Sequence, residues 1–129
     1  MLGVGNGLFQ TAVRGRPGSA PPILDTLTGA AFAFSPRRLR TGANLSMRVR
    51  RSSDNAEADF GFTPAGDLDT AAMLSFCGVG DGFVTTQYDQ TVNARNAVQT
   101  TAANQHPIVI GGVLNTVNNR PMPRLDGIN

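Results

Sequence analysis

Apolar and polar residues alternate in the middle of the chain and predict two strands there. In LSMRVRR, residues 45–51, apolar residues alternate with Ser or Arg. Because successive side chains of a strand point to opposite faces, this pattern predicts a half-buried strand with a basic outer face. A polar turn, RRSSDNAEAD, comes next, and Phe60 and Phe62 then predict a second short strand. We also expect a strand at Phe32 and Phe34, which alternate with Ala.

A short helix is predicted after these strands. Asp67 or Asp69 can cap its N-terminus, TAAMLSFC supplies good helix formers, and Gly78 is a residue type that ends helices. Met73 and Cys77 are four residues apart and would lie on one buried face of the helix. We therefore interpret Cys77 as a small core residue rather than a reactive thiol.

The rest of the chain reads as strands joined by turns. FVTTQYDQ and PIVIGGVL each predict one strand, TVNARNAVQTTAANQH an irregular polar connection, and NTVNNRPMPRLDGIN a series of turns. We predict a mainly β fold of short antiparallel strands with one short helix. Its compact domain is placed at residues 29–114, and residues 115–129 are predicted to be a turn-rich tail or a linker to a further domain.

The first 28 residues have a different pattern and predict an extended arm. Glycine alternates with other residues at positions 3, 5 and 7, and RGRPGSAPP concentrates Gly and Pro, which disfavour a regular helix or ladder. The segment is nevertheless too apolar for a freely solvated linker. We predict that residues 1–28 form a docking arm that contacts a partner through Leu8, Phe9 and Val13.

Composition limits the classes of function. The chain has 129 residues, which predicts one domain, and its 15 glycines and 8 prolines favour short strands over a helical bundle. It has no apolar run of about 18 residues and no secretory signal pattern, so we expect a soluble protein that keeps its N-terminus and does not insert into membranes. One cysteine and one histidine, Cys77 and His106, exclude an internal disulfide and a Cys- or His-rich metal site. We expect no cofactor.

The charged residues separate into a basic and an acidic segment. Six arginines lie between residues 37 and 51, and six acids without any cation lie between residues 54 and 81. The arginines could bind phosphates, or the two segments could pair within one fold or across a subunit contact. No aromatic residue lies among the arginines to stack on a base, so we expect no nucleic-acid binding. We predict that Arg48, Arg50 and Arg51 lie at subunit contacts.

Paired carboxylates are the remaining sign of catalysis. Glycoside hydrolysis needs two of them, about 5 Å apart for retention or roughly 6.5–9.5 Å apart for inversion. Glu57 is the only glutamate and lies in a polar turn. Asp89 follows a predicted strand, where its carboxylate can accept backbone N–H bonds, so we interpret it as a structural turn cap. We predict no catalytic residue and no enzyme activity.

Four short stretches carry a resemblance to a known family. They are RVRRSSD at residues 48–54, Phe76 with Cys77, YDQ at residues 88–90, and QTTAANQ at residues 99–105. Residues 31–114 resemble the opening of the catalytic module of family 54 α-L-arabinofuranosidases. They also resemble phage-encoded virion proteins, in which the same block precedes a lectin-like β-sandwich. The resemblance implies a partial concanavalin-like sandwich.

The chain departs from the arabinofuranosidases at functionally important points. Their catalytic acid and nucleophile correspond to positions beyond Asn129, so no residue here inherits either role. The second cysteine that pairs with the counterpart of Cys77 is absent. Where the family has Ser-Gly-Asn-Gly, this chain has residues 91–94, Thr-Val-Asn-Ala, so a turn that relies on positive φ must differ or be strained.

These observations predict a structural role in a virion. We expect the N-terminal attachment part of a tail fibre or related appendage of a tailed bacteriophage. It would dock on other virion proteins, form a homo-oligomer for which a trimer is favoured, and present a downstream domain to a host surface glycan. One alternative is a carbohydrate-binding module or a truncated arabinofuranosidase-type hydrolase. A further alternative is a capsid decoration protein.

Overall fold

The computed structural model describes residues 20–125 of the chain. Two helices are present in this part, α1 (Ile23–Thr26) and α2 (Thr70–Cys77). The main sheet has six strands: β1 (Leu45–Arg51), β2 (Glu57–Gly61), β3 (Gly82–Gln87), β4 (Ala97–Val98), β5 (Pro107–Ile110) and β6 (Val113–Leu114). A turn of 3-10 helix (Ala102–Asn104) precedes β5, and a separate hairpin pairs β7 (Thr116–Val117) with β8 (Arg120–Pro121).

The main sheet is antiparallel throughout. Its strand order is β2-β1-β3-β5-β6, and β4 pairs with β3 beyond the point where β5 ends. The pairing register shifts in the β1–β2, β1–β3 and β3–β5 pairs, and such bulges bend and twist a sheet. The predicted mainly β fold of short antiparallel strands is confirmed. Within residues 20–125, no helix has the length and apolar character needed to cross a membrane.

One hydrophobic core joins the sheet to α2. Met47 and Val49 on β1 are buried, as the alternation predicts, whereas Arg48 between them is partly exposed. Helix α2 contributes Met73 and Cys77 to the same core. The core residues are Met47, Val49, Phe60, Leu68, Met73, Cys77, Val84, Ile108 and Val109.

Both ends of α2 are fixed by the residues that the sequence indicates. The carboxylate of Asp69 accepts a hydrogen bond of 3.0 Å from the backbone N–H of Ala72, so Asp69 caps the helix. Asp67 instead lies 3.7 Å from the guanidinium of Arg37. Gly78 ends the helix with φ of 60°, a conformation that glycine adopts without steric cost.

The strand expected at Phe32 and Phe34 is absent. The backbone there bonds mostly to side chains, since the N–H of Ala33 donates to the Asp89 carboxylate and the carbonyls of residues 30 and 31 accept from the Asn93 amide. Its backbone–backbone bonds are single ones, such as that from the N–H of Gln90 to the carbonyl of Ala33, and they form no ladder. The two rings still stack on each other, with centroids 5.6 Å apart. Residues 30–36 are therefore an irregular strap that side chains hold in place.

Two hairpins replace the single strand and the turn-rich tail that the sequence predicts. PIVIGGVL forms β5 and β6, because Gly111 and Gly112 take positive φ values of 58° and 78° and reverse the chain. Asn118 and Asn119 do the same between β7 and β8, with φ of 52° and 62°. Such pairs of positive φ values match the twist of antiparallel strands and are typical of two-residue hairpin turns.

Candidate interaction groove

An open groove of about 570 Å³ lies between the β3–β4 part of the sheet and the β7–β8 hairpin. Residues 34–36 of the strap and residues 122–125 complete its walls. Most of its lining is apolar: Phe34, Pro36, Val84, Ala97, Val98, Val117, Pro121, Met122, Pro123 and Leu125. The polar lining residues are Ser35, Thr85, Thr86, Gln87, Gln99, Asn104, His106 and Arg120.

The hairpin is attached to the body at its base. The N–H of Asn115 donates to the carbonyl of Ile108 at 2.8 Å, and the Asn115 side chain donates to the carbonyl of Met122 at 2.6 Å. The N–H of Arg124 donates to the carbonyl of Pro107 at 2.7 Å. The backbone at both ends of the hairpin is therefore fixed to β5, which holds the groove open to one side.

Large apolar side chains around the groove remain exposed. Val98 and Leu125 are each 62% exposed, Val117 is 51% exposed and Met122 is 40% exposed. Scattered single apolar residues are common on protein surfaces, but four along one cleft form a contiguous patch of the kind that binds other molecules. We therefore regard this groove as the candidate functional site.

The groove lacks the groups that sugar cleavage needs. Among residues 20–125, no Asp or Glu lines the groove, so this part of the chain does not supply it with the pair of carboxylates required for glycoside hydrolysis. A second cavity of about 610 Å³ on the other side of the hairpin is lined by one carboxylate, that of Asp67. Within residues 20–125, no three His, Cys, Asp or Glu side chains are grouped so that they could hold a metal ion.

Arg48 pairs with acids on the neighbouring strand β2. Its guanidinium donates two hydrogen bonds to the carboxylate of Asp59, at 2.7 and 2.8 Å, and the Tyr88 hydroxyl donates to the same carboxylate at 2.6 Å. The hydrogen bonds from Arg48 lower the pKa of Asp59, partial burial raises it, and the hydrogen bond from Tyr88 lowers it further, so the pKa lies below its usual value. Asp59 is thus held as a carboxylate, which makes it unsuitable as a proton donor.

Arg50 bonds to polar residues of two loops. Its Nε donates to the Gln105 side chain at 2.8 Å, and another of its nitrogens donates to the Asn55 side chain at 2.7 Å. The guanidinium lies 4.9 Å from the centre of the Phe83 ring, a distance typical of a cation–π contact. These contacts fasten the loops before β2 and β5 to the outer face of the sheet.

Arg51 makes similar contacts at the end of β1. It donates two hydrogen bonds of 2.8 Å to the carboxylate of Asp54, and its guanidinium lies 4.7 Å from the centre of the Phe76 ring. The three arginines named for subunit contacts therefore all have partners in their own chain. The basic and acidic segments pair within the fold here, and a further role of these arginines between subunits stays a prediction.

Asp89 lies at the centre of a hydrogen-bond network. Its carboxylate accepts bonds from the N–H groups of Ala33, Thr91 and Arg95, at 2.8–2.9 Å, and from the Thr91 hydroxyl at 2.7 Å. Burial of the carboxylate raises its pKa, but these bonds lower it more, and the resulting pKa is about 2. Asp89 connects the strap to the loop after β3, which is the geometry of a structural cap.

The turn after Asp89 bears the strain that the sequence indicates. Ala94 has φ of 53°, a left-handed conformation that glycine adopts much more readily than alanine. This is one of the positions where the resembling family has glycine. The network around the Asp89 carboxylate, which includes the N–H of the next residue, Arg95, holds the turn in this shape.

Three other sets of residues singled out from the sequence have different outcomes. Leu8, Phe9 and Val13 lie outside the described residues. Cys77 is buried in the core, where burial raises the pKa of its thiol, as expected for an unreactive cysteine. His106 lies in the groove wall, and its carbonyl accepts a hydrogen bond from the N–H of Val84.

Sequence reasoning missed the groove itself. Val98 was assigned to an irregular polar connection and Val117 and Met122 to a turn-rich tail, because each is an isolated apolar residue among polar residues and prolines. The sequence feature that could have indicated the groove is the recurrence of isolated apolar residues in the polar connection and in the turn-rich tail. Only the fold shows that they face one cleft.

Comparisons with known proteins support the fold. No family model matches the chain, and neither does any curated protein. A solved arabinofuranosidase complexed with arabinofuranosyl-alpha-1,2-xylobiose is similar with a TM-score of 0.54 and 23% identity, over 60% of this chain and 19% of that chain. A GH54 a-l-arabinofuranosidase soaked with a cyclic sulfate inhibitor is similar with a TM-score of 0.50 and 22% identity, over 57% of this chain and 18% of that chain.

The similarity is confined to part of those enzymes. This chain spans about a fifth of the length of the two arabinofuranosidases. At this identity the likeness shows a shared fold, and it confirms the structural side of the resemblance to family 54. The resemblance to virion proteins stays a prediction.

Proposed function

We propose that this chain is a non-enzymatic structural module that joins other chains, as the N-terminal attachment part of a tail fibre or related appendage of a tailed bacteriophage. In this proposal it docks on other virion proteins, associates with copies of itself as a trimer, and is located in the virion. The presentation of a further domain to a host surface glycan belongs to the same proposal.

The open apolar groove is the observation that carries the proposal. Four large apolar residues along it are 40–62% exposed, and burying such side chains stabilises an association by about 25 cal/mol for each Å² removed from water. The attachment points at both ends of the hairpin hold the groove in a defined shape. A surface of this kind favours a permanent partner over an isolated chain.

The chemistry of the groove also favours a structural role. Its lining contains no carboxylate, and the best-organised carboxylates of the fold, Asp59 and Asp89, are held in hydrogen bonds that lower the pKa of each. A general acid in glycoside hydrolysis needs the opposite, a raised pKa. The virion assignment itself is supported by the sequence resemblance of residues 31–114 to phage-encoded virion proteins.

Light scattering coupled to size-exclusion chromatography tests the proposal. We expect a mass of about 40 kDa for a trimer of the 13.5 kDa chain. A monomer with the circular dichroism of a folded β protein would contradict the proposed function. Mass spectrometry of purified virions, in which peptides of this chain should be found with those of the tail proteins, tests the location.

A carbohydrate-related role is the second candidate, and the structural similarity to the two arabinofuranosidases favours it. Under this alternative the chain would bind or cleave arabinose-containing glycans. Release of para-nitrophenol from para-nitrophenyl α-L-arabinofuranoside, or retardation of the protein in a gel that contains arabinoxylan, would support it. Absence of both effects in a correctly folded sample would favour the structural role.

A further inference from the structure

The groove has an open strand edge as well as apolar walls. Strand β4 pairs with β3 along one side, and no strand among residues 20–125 pairs with its other side. Both residues of β4, Ala97 and Val98, line the groove. An unpaired edge beside an apolar cleft can accept an extended peptide, which forms backbone hydrogen bonds along the edge and places alternate side chains in the cleft.

The first 13 residues of the chain have the composition of such a peptide. In MLGVGNGLFQTAV no side chain is charged, which suits a groove whose one charged lining group is that of Arg120. If this segment is extended, Leu2, Val4 and Leu8 point to one face, and the opposite face carries only glycines over residues 3–7, followed by Phe9. A face without side chains lets the backbone approach a flat surface closely.

The segment can reach a groove on another copy. Phe9 is eleven positions before Ala20, where the described structure begins, and these eleven steps span up to about 36 Å when extended. That distance exceeds the radius of gyration of about 13 Å expected for a domain of this size. Ala20 and Pro21 are exposed, and Pro22 has φ of −54° and ψ of 144°, an extended polyproline conformation. The proline-rich base therefore favours an arm that leaves its own domain.

From these observations we propose that residues 1–13 of one copy lie extended in the groove of a neighbouring copy, next to the free edge of β4. This inference rests on the proposed function, because it requires the chain to associate with itself. The inference adds that the groove is the surface that accepts the arm and that residues 1–13 are the segment that binds there. Phe9 would then contact the exposed side chain of Val98 on the β4 wall of the groove, and Leu8, which points to the opposite face of an extended chain, would contact Met122 on the hairpin wall.

Cysteine cross-linking between two variants tests the inference. Phe9→Cys and Val98→Cys chains are mixed, oxidised under mild conditions and separated on a non-reducing gel. The native cysteine, Cys77, is buried in the core and should not react. The matched control replaces Val98→Cys by Val79→Cys, at a residue that is 93% exposed and does not line the groove. We expect about tenfold more cross-linked dimer with Val98→Cys, because docking raises the local concentration of the two thiols.

The outcomes separate the inference from the proposed function. Equal yields of dimer with the Val98→Cys and Val79→Cys chains would overturn the inference, even if light scattering shows an oligomer and the proposed function stands. The double variant with Phe9→Cys and Val98→Cys gives a further outcome. If it forms only an internal cross-link, the arm covers the groove of its own chain, and the inference is overturned. A wild-type monomer in light scattering would contradict the proposed function and the inference together.

A second pair of variants tests the inference without cross-linking. Phe9→Asp places a charge in the segment that the inference docks in the groove, so it should convert the oligomer to monomer and leave the urea midpoint of the monomer fold unchanged. Gln10→Asp, next to it in the sequence, adds the same charge at a position that is already polar and should have a much smaller effect. If both variants lose the oligomer to the same degree, or if neither variant loses it, docking through Phe9 would be contradicted.

Discussion

Replacing Asp89 with alanine should remove the central connection between the strap and the loop after β3. The carboxylate of Asp89 accepts four hydrogen bonds, three of them from backbone N–H groups. The Asp89→Ala variant would leave the N–H groups of Ala33, Thr91 and Arg95 without their acceptor. Asp89 is one of the buried polar residues of the fold, so water can replace the lost bonds only in part.

The expected loss is large compared with the stability of a small domain. A hydrogen bond contributes about 1 kcal/mol net, and a buried donor left without an acceptor costs about 1–3 kcal/mol. For four bonds, partly replaced by water, we expect Asp89→Ala to lower the free energy of unfolding by about 3–5 kcal/mol. Domains of this size are stable by about 5–15 kcal/mol, so the variant should be marginally folded.

Urea unfolding followed by circular dichroism measures this change. Asp67→Ala is the matched control, because it removes an exposed carboxylate whose partner, Arg37, lies 3.7 Å away, and such surface pairs contribute less than about 1 kcal/mol. Equal destabilisation by Asp89→Ala and Asp67→Ala would refute the reasoning. So would a loss below about 1 kcal/mol for Asp89→Ala, the value for an ordinary surface position.

The same comparison has a defined pH dependence. The pKa of Asp89 falls from 3.8 to about 2 in the fold, so its contribution to stability is complete above about pH 4 and is lost as the pH falls toward 2. The difference in unfolding free energy between wild type and Asp89→Ala should therefore shrink over this range. A difference that stays constant from pH 5 to pH 2 would show that the charge of the carboxylate is not what stabilises the network.

The further predictions concern three substitutions in the core and the turns and the reactivity of Cys77. Met73→Ala, at a fully buried residue, should lower the free energy of unfolding by about 2–5 kcal/mol, and urea unfolding checks this. Gly82→Ala should lower the free energy of unfolding by about 1–3 kcal/mol, since a Cβ there would lie 2.6 Å from the sulfur of Cys77. Ala94→Gly should raise it by about 0.5–1 kcal/mol, because glycine adopts a φ of 53° without strain. If Gly82→Ala proved more stable than Ala94→Gly, the argument from packing and strain would be contradicted. The Cys77 thiol should react with a disulfide reagent such as Ellman's only after unfolding in urea, and rapid reaction of the native protein would contradict its burial.

The features that could be predicted from the sequence are those that depend on neighbouring residues. The alternation correctly predicts that Met47 and Val49 lie on the buried face of β1, because side-chain direction in a regular strand depends only on position. It is wrong at the start of the strand, where Leu45 is exposed and Ser46 is buried, because the pairing register shifts between Leu45 and Met47. The cap at Asp69 and the stop at Gly78 follow from local backbone chemistry at helix ends. The strain at Ala94 could be expected because the resembling family has glycine at this position, and here the turn is made by a residue with a Cβ.

The features that could not be predicted depend on contacts between distant parts of the chain. The alternation at Phe32 and Phe34 is that of a strand, but the N–H of Ala33 donates to the Asp89 carboxylate, 56 residues away, instead of to a neighbouring strand. The groove combines residues 34–36, 84–87, 97–99, 104, 106, 117, 120–123 and 125, and no single one of these segments has a distinctive pattern. The partners of Arg48, Arg50 and Arg51 within the chain could not be assigned from the sequence, because the acids, amides and rings that contact them come from other elements of the fold.

Whether another chain covers the groove is tested most directly by the mass of groove variants in solution. Light scattering should give about 40 kDa for the wild type and for Val79→Asp, and 13.5 kDa for Val98→Asp, with the same circular dichroism in all three. The two substitutions add the same charge at exposed valines, but only Val98 lines the groove. A wild-type chain that is a folded monomer, or a Val98→Asp chain that keeps the wild-type mass, would contradict the account.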